Sequence, residues 1–408
     1  MLSGVVLHRL RRVRTTRRMQ PTIVTSRCIC DASAVGTHAW LNWNAYAAGS
    51  AEVERVEDDL YSDRYFVGEP TAHGPYSLST VIGFQQPSDA PSVRLALKLL
   101  SGAHADLAPP LVVNGELAPS DSAAYHGGTA SDEIAALVAL TLGVRIKAAG
   151  TSRLSGIHEP GTQHPPILLE VPALATPGQR GKEYVPATQS REPALGLLER
   201  LSSFPTLGEQ DQVELVRAAR SYATGLWWSN EDQNQSWLHL VTAVEIAANR
   251  RQLAVGSPEV LIREHWPELW TVLETVDSTA RASVSKMLAP QVRATRKFVD
   301  FLVECAPQPP AVRPVHGALD WDNMGQHARR VYGHRSTALH GGKPFPLPML
   351  EQPREELNGA TQEVPYGLSS SGLGGSWMAK EAPMLLSTFE FIARGALLHW
   401  WDELRSDS

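Results

Sequence analysis

Arginine and histidine occur at close spacing in one short stretch, and their chemistry is the most specific feature of this chain. In Tyr332-Gly333-His334-Arg335-Ser336-Thr337-Ala338-Leu339-His340-Gly341-Gly342, four residues separate Arg335 from His340, and two glycines follow. A guanidinium is a permanent cation whose planar fork matches a phosphate, and an imidazole can move a proton near neutral pH. Those two functions are what cleavage of RNA without a metal requires. No Asp or Glu lies between Asn323 and Leu350, although the 408-residue chain has a formal net charge of −6. The stretch suits a negatively charged partner.

Spacing alone does not select this pair. The same Arg-x4-His gap occurs at Arg153/His158, Arg329/His334 and Arg394/His399. Arg153/His158 falls in a Gly/Pro-rich loop that would hold geometry poorly. Arg394/His399 falls in an apolar final helix beside Trp400 and Trp401. The two central pairs share one helix pattern, in which Ala328, Val331, Tyr332, Arg335, Ala338 and Leu339 fall on one face. Arg335 therefore stands in a packing stripe, where a charge is costly unless it meets an anion or a carboxylate. His334 points away from that face. His340 precedes Gly341-Gly342, which suits a helix C-terminus, and the helix dipole favours an imidazolium there.

On a straight helix, residues five apart are separated by about 140°. Arg335 and His340 can then serve one phosphate only if the helix end unwinds, or if two copies of the helix meet in a symmetric dimer. Two readings stand on these residues: a cleavage site, or an Arg–carboxylate brace beside a helix-capping histidine.

The elements that must position them change character along the chain. Residues 1–20 form an Arg-rich, acid-free arm carrying Arg9, Arg11, Arg12, Arg14, Arg17 and Arg18. It reads as a start-site extension upstream of Met19 or as a targeting peptide. Residues 21–190 read as an α+β domain. Thr22 to Ile29 and Ser92 to Leu99 are strand-like, a helix capped by Ser131 runs to Gly143, and Val144 to Ala148 alternates like a strand. His158 to Pro166 and Pro172 to Gly181 read as loops. Residues 191–408 read as a helical domain. Its expected helices are Pro193 to Ser203, Glu209 to Trp228, Ser236 to Arg251, Pro258 to Val276, Ala280 to Glu304, Asp322 to His340 and Ala379 to Glu403. Ser369 to Ser376 reads as a flexible Gly/Ser loop. Tryptophans are scattered over these helices and suit packing better than base stacking.

Composition limits the function classes. The acidic balance argues against broad nucleic-acid coating while leaving room for a local basic site. Cys28, Cys30 and Cys305 make neither a disulfide framework nor a zinc site, so no metal or cofactor is expected and the expected compartment is the reducing cytoplasm. No apolar run is long enough to span a membrane.

The string Tyr332-Gly333-His334-Arg335-Ser336-Thr337-Ala338-Leu339-His340-Gly341 resembles the Tyr-x-x-Arg-Ser-x-x-x-x-His-Gly motif of the Apea-like branch of the HEPN superfamily. The segments Ala218-Ala219-Arg220-Ser221-Tyr222 and Ser236-Trp237-Leu238-His239-Leu240-Val241-Thr242-Ala243-Val244-Glu245 are similar to that branch's earlier helices. The resemblance covers roughly Pro205 to Glu403. It implies an all-α HEPN-like bundle, usually a homodimer, following the α+β domain. It also implies a metal-independent endoribonuclease of toxin, antiphage-defence or RNA-processing type, although other members are non-catalytic nucleotide-, RNA- or protein-binding modules. In the catalytic form Arg335 and His340 are the active pair, with Ser336 and Tyr332 supporting them; Ser336 reads equally as a helix-surface serine bonded to its own backbone. The RNA 2′-hydroxyl attacks the adjacent phosphate, His340 moves the proton and Arg335 steadies the added negative charge. Glu245 is a candidate to hold Arg335, or else a surface partner of Arg250. Arg329, Arg330, His334 and Lys343 are candidate RNA contacts, with a solvated basic face as the alternative. The resemblance leaves residues 21–190 without a role; a sensor, a substrate-recruiting domain and a protein-partner surface all remain open for them.

Overall fold

The computed structural model describes residues 36–80, 92–101, 112–113, 115–117, 125–156, 162–163, 183–185, 192–251 and 257–406. Contacts divide the chain into Met1–Ala34 and Val35–Ser408. The Arg-rich arm, the strand expected at Thr22 to Ile29, Cys28, Cys30 and the loop expected at Pro172 to Gly181 lie outside the described residues.

An antiparallel sheet region comes first. Helix α1 (His38–Ala47) precedes strands β1 (Glu52–Ser62), β2 (Thr71–His73), β3 (Tyr76–Thr80) and β4 (Ser92–Leu100). A short pair, β5 (Val112–Val113) and β6 (Glu116–Leu117), leads to helix α2 (Ala130–Leu142). Strands β7 (Ile146–Gly156) and β8 (Thr162–Gln163) complete a six-stranded sheet of order β2-β3-β4-β1-β7-β8. Strand β8 falls inside the stretch expected to be loop from His158 to Pro166. The long strand β1 pairs on both sides, with β4 and β7. Its Leu60 and the neighbouring Leu95 and Leu97 are sealed in the core.

Helix α2 starts slightly earlier than its sequence suggests. Thr129 caps it, exchanging hydrogen bonds with Asp132 in a capping box, and Gly143 closes it at φ 65°. Ser131, expected as the cap, is buried in the first turn and donates its hydroxyl to Asp58 of β1. The amphipathic stripe expected here becomes a helix buried almost all round, because sheet and bundle cover it from two sides.

Beyond residue 191 the chain is mainly helical. A 3₁₀ segment (Leu195–Thr206) is followed by α3 (Glu209–Trp228), α4 (Gln233–Arg250), α5 (Pro258–His265), α6 (Pro267–Leu273), α7 (Ser278–Cys305), α8 (Met324–Gly341) and α9 (Leu386–Ser406). Prolines correct two expected boundaries. The helix expected from Pro258 to Val276 breaks at Trp266 (φ −131°, ψ 65°), since the residue before Pro267 is driven out of the helical region. The one expected from Ala379 breaks likewise at Ala382 before Pro383, and α9 starts afterwards. The Gly/Ser stretch is not a plain loop. It forms a hairpin, β9 (Ser369–Gly372) against β10 (Gly375–Met378), turned by Leu373 and Gly374 at φ 49° and 83°. Paired positive φ values give the hairpin-compatible turn, and Gly374 makes half of it cheap.

One core runs from the sheet through the bundle. Trp237 of α4 stacks between Phe345 and Phe389, ring centroids 5.2 and 4.8 Å away, and its indole N–H donates to the Met349 carbonyl at 3.2 Å. Arg394 of α9 donates to the last carbonyls of α2, those of Leu140 and Thr141, at 2.9 and 2.5 Å. That satisfies helix-end acceptors that burial would otherwise strand. Tyr222 of α3 donates to the fully buried Glu390 of α9. No helix among the described residues is long and apolar enough to cross a membrane.

Candidate functional site

Helix α8 lays Ala328, Val331 and Tyr332 into the bundle, with the Tyr332 ring 5.1 Å from that of Phe298 on α7. Arg335 follows one turn later on the same face. Its Nη2 donates to Glu245 Oε2 of α4 at 2.6 Å, and its guanidinium carbon lies 5.6 Å from the centre of the Tyr332 ring. Tyr332 also acts on the same carboxylate, lowering its pKa. The Arg335 side chain is 20% exposed and that of Glu245 15%. Arg335 Nε is buried and has no partner. The structure thus joins Arg335, Tyr332 and Glu245 in one network, and Arg250 pairs with Asp211 instead.

Burial dominates the electrostatics of this trio. It raises the Glu245 carboxyl above its ordinary value even though Arg335 and Tyr332 both pull it down. It also pushes the Tyr332 phenol up to about 12, with the Glu245 charge adding to the effect. One carboxylate therefore balances one guanidinium.

His340 sits elsewhere on the helix. α8 stays helical through Gly341, and Gly342 ends it at φ 62° by donating its N–H to the Ala338 carbonyl at 3.1 Å. The helix end does not unwind. Arg335 and His340 are then about 7.5 Å apart along the axis and about 140° apart around it. His340 is exposed, as is its neighbour Leu339. Of the expected RNA contacts, Arg329 and Lys343 are exposed and Arg330 is half-buried. His334 is half-buried and donates from Nε2 to the Glu381 carbonyl at 2.6 Å; burial holds its imidazole below the usual value. Ser336 is half-buried on the same turn as Arg335.

A second polar cluster lies in the sheet region. Glu133 of α2, wholly buried, accepts the backbone N–H groups of His38 and Ala39 at the start of α1, at 3.0 and 2.7 Å. His126 Nε2 lies 3.0 Å from Glu133 Oε1. Burial pushes the Glu133 carboxyl up to about 8 and the His126 imidazole down to about 4. By sequence alone Glu133 is an ordinary first-turn acid of α2. The signal it lacked was the N-terminus of α1, brought in from ninety-odd residues upstream.

Compared with known proteins, the chain matches no family model, no curated protein and no solved structure. The likeness to HEPN proteins rests on the motif residues themselves.

Proposed function

We propose that this protein is a metal-independent endoribonuclease of the HEPN type, whose cleavage site is assembled from Arg335 of one copy and His340 of another. The observation that carries the reading is the tethering of Arg335. Glu245 holds it through Nη2 and the Tyr332 ring lies against it, so its direction is fixed while Nη1, on a side chain 20% exposed, is left for a phosphate. The straight course of α8 supports the two-copy arrangement, since one chain's pair faces in different directions. Exposed Leu339 and His340 at the helix end offer the surface through which copies would meet.

In this reaction the RNA 2′-oxygen attacks phosphorus and the bond to the 5′-oxygen breaks, leaving a 2′,3′-cyclic phosphate and a 5′-hydroxyl. His340 moves the proton, and Arg335 stabilises the charge that builds on the phosphoryl oxygens. Arg329 and Lys343 would steer the backbone toward the acid-free helix face.

A second reading has its own observation. Glu245 already neutralises Arg335, as in a structural brace, which favours a non-catalytic HEPN-like module that binds RNA or a protein. Incubating the purified chain with mixed RNAs in chelator separates the two. Fragments ending in cyclic phosphate, lost in His340→Ala, support the nuclease. An inert wild type supports the binding module.

A further inference from the structure

The cluster on α1 and α2 is built from different chemistry. His38 opens α1, His126 lies in the segment before α2, and Glu133 stands in the first turn of α2. The two imidazoles meet edge to face with centroids 5.9 Å apart, and one donor atom from each of the three residues lies within 4.8 Å of the others. Among the described residues it is the one grouping of this kind.

A helix-tethering role accounts for only part of this. Glu133 would fasten the α1 N-terminus without either imidazole. The His126 side chain is only 6% exposed, yet its Nδ1 is buried without a partner. Buried polar atoms in folded proteins nearly always have partners, so such an orphan points to one that occupies the site. Two imidazoles and one carboxylate are the donors that zinc-class ions take, with a fourth position left for water or another ligand.

We propose that His38, His126 and Glu133 bind one divalent transition-metal ion of the zinc class. Zinc–nitrogen bonds of about 2.0–2.1 Å place tetrahedral donors about 3.3 Å apart. Closing from the present spacing takes side-chain rotation of the two histidines, and the half-exposed His38 gives the ion its way in. The backbone N–H of Ala39 on Glu133 Oε2 already orients the carboxylate. Arg217 and Arg220 of α3 and Asp132 are the charged groups nearby. Two guanidiniums disfavour a loosely held hard cation, which leaves an ion that bonds strongly to nitrogen. Bound there, it would clasp the start of α1 to the segment entering α2.

The test strips the full-length protein with chelator and titrates it with cobalt(II) and with zinc alone. One equivalent should bind, with visible ligand-field bands for cobalt and a higher melting temperature for zinc. Affinity should fall at least about tenfold in His38→Ala and in His126→Ala. His38→Ala alters a half-exposed side chain, so a native circular-dichroism spectrum in that variant keeps the comparison valid even if Glu133→Gln does not fold. Failure of either ion to bind the wild type overturns the proposal, as does equal binding by wild type and His38→Ala. RNA cleavage is not read in this test.

Discussion

Replacing Arg335 by alanine exposes the energetics of its network. The change leaves Glu245 and Tyr332 in place but removes the cation between α8 and α4. Exposed ion pairs contribute about 0–1 kcal/mol, whereas breaking a buried one costs about 3–5 kcal/mol because the remaining charge is stranded. Side chains 20% and 15% exposed put this pair nearer the buried limit. Loss of the contact over Tyr332 adds about 0.5–1 kcal/mol. An overall loss of about 3 kcal/mol is expected, read as a lower urea midpoint at unchanged slope. The pH dependence has a definite sign. Burial already raises the Glu245 carboxyl, and removing Arg335 removes its main opposing influence. A folded-state value above the unfolded one means stability is retained at low pH and lost as pH rises through the folded value. The gap between wild type and variant should therefore widen from acid to neutral pH. Adding Glu245→Gln to Arg335→Ala should recover part of the loss, as a double-mutant cycle would reveal. A loss below about 0.5 kcal/mol, or a gap that ignores pH, refutes the network as described.

Other outcomes follow from packing and burial. In Gly225→Ala the new Cβ would lie 2.9 Å from Leu240 Cγ and 3.3 Å from its backbone nitrogen. Overpacking of about 1–3 kcal/mol should outweigh the helix-propensity gain of about 1 kcal/mol, and a stabilised variant would contradict the α3–α4 contact. Trp237→Ala should cost about 3–5 kcal/mol by chemical denaturation, because three aromatic rings lose their shared contacts. Burial lowers His334, so its contribution is present above the ordinary histidine value of about 6.5 and lost as pH falls through the folded value. His334→Gln keeps an N–H for the Glu381 carbonyl and should flatten the decline in stability between pH 7 and 5; an unchanged slope would show that His334 does not titrate with unfolding.

Much of the architecture was legible because local rules were strong. The period of α3, the stop at Gly143 and the Gly341-Gly342 end of α8 are local signals, and each element formed close to where they place it. The breaks at Trp266 and Ala382 were just as local, but helical periodicity masked the effect of the following prolines. The hairpin at Ser369–Met378 was missed because its side chains carry little strand signal, and the turn at Leu373-Gly374 sets its register. The packing stripe marked Arg335 as a charge in need of a partner, and Glu245 stands opposite it. The cluster of His38, His126 and Glu133 left no spacing pattern, since its members arrive from separate elements through tertiary packing.

The most direct test of a cleavage site shared between copies is complementation between two inactive proteins. Arg335→Lys and His340→Ala should each lack RNA cleavage when assayed alone in chelator, while remaining folded. Refolded or expressed together, their mixed dimers contain one site with Arg335 from the second protein and His340 from the first, both intact. Cleavage to cyclic-phosphate ends should return in the mixture. A mixture as inert as its parents, beside an active wild type, would place both residues in one chain's site; a wild type that leaves every RNA intact would remove the nuclease reading altogether.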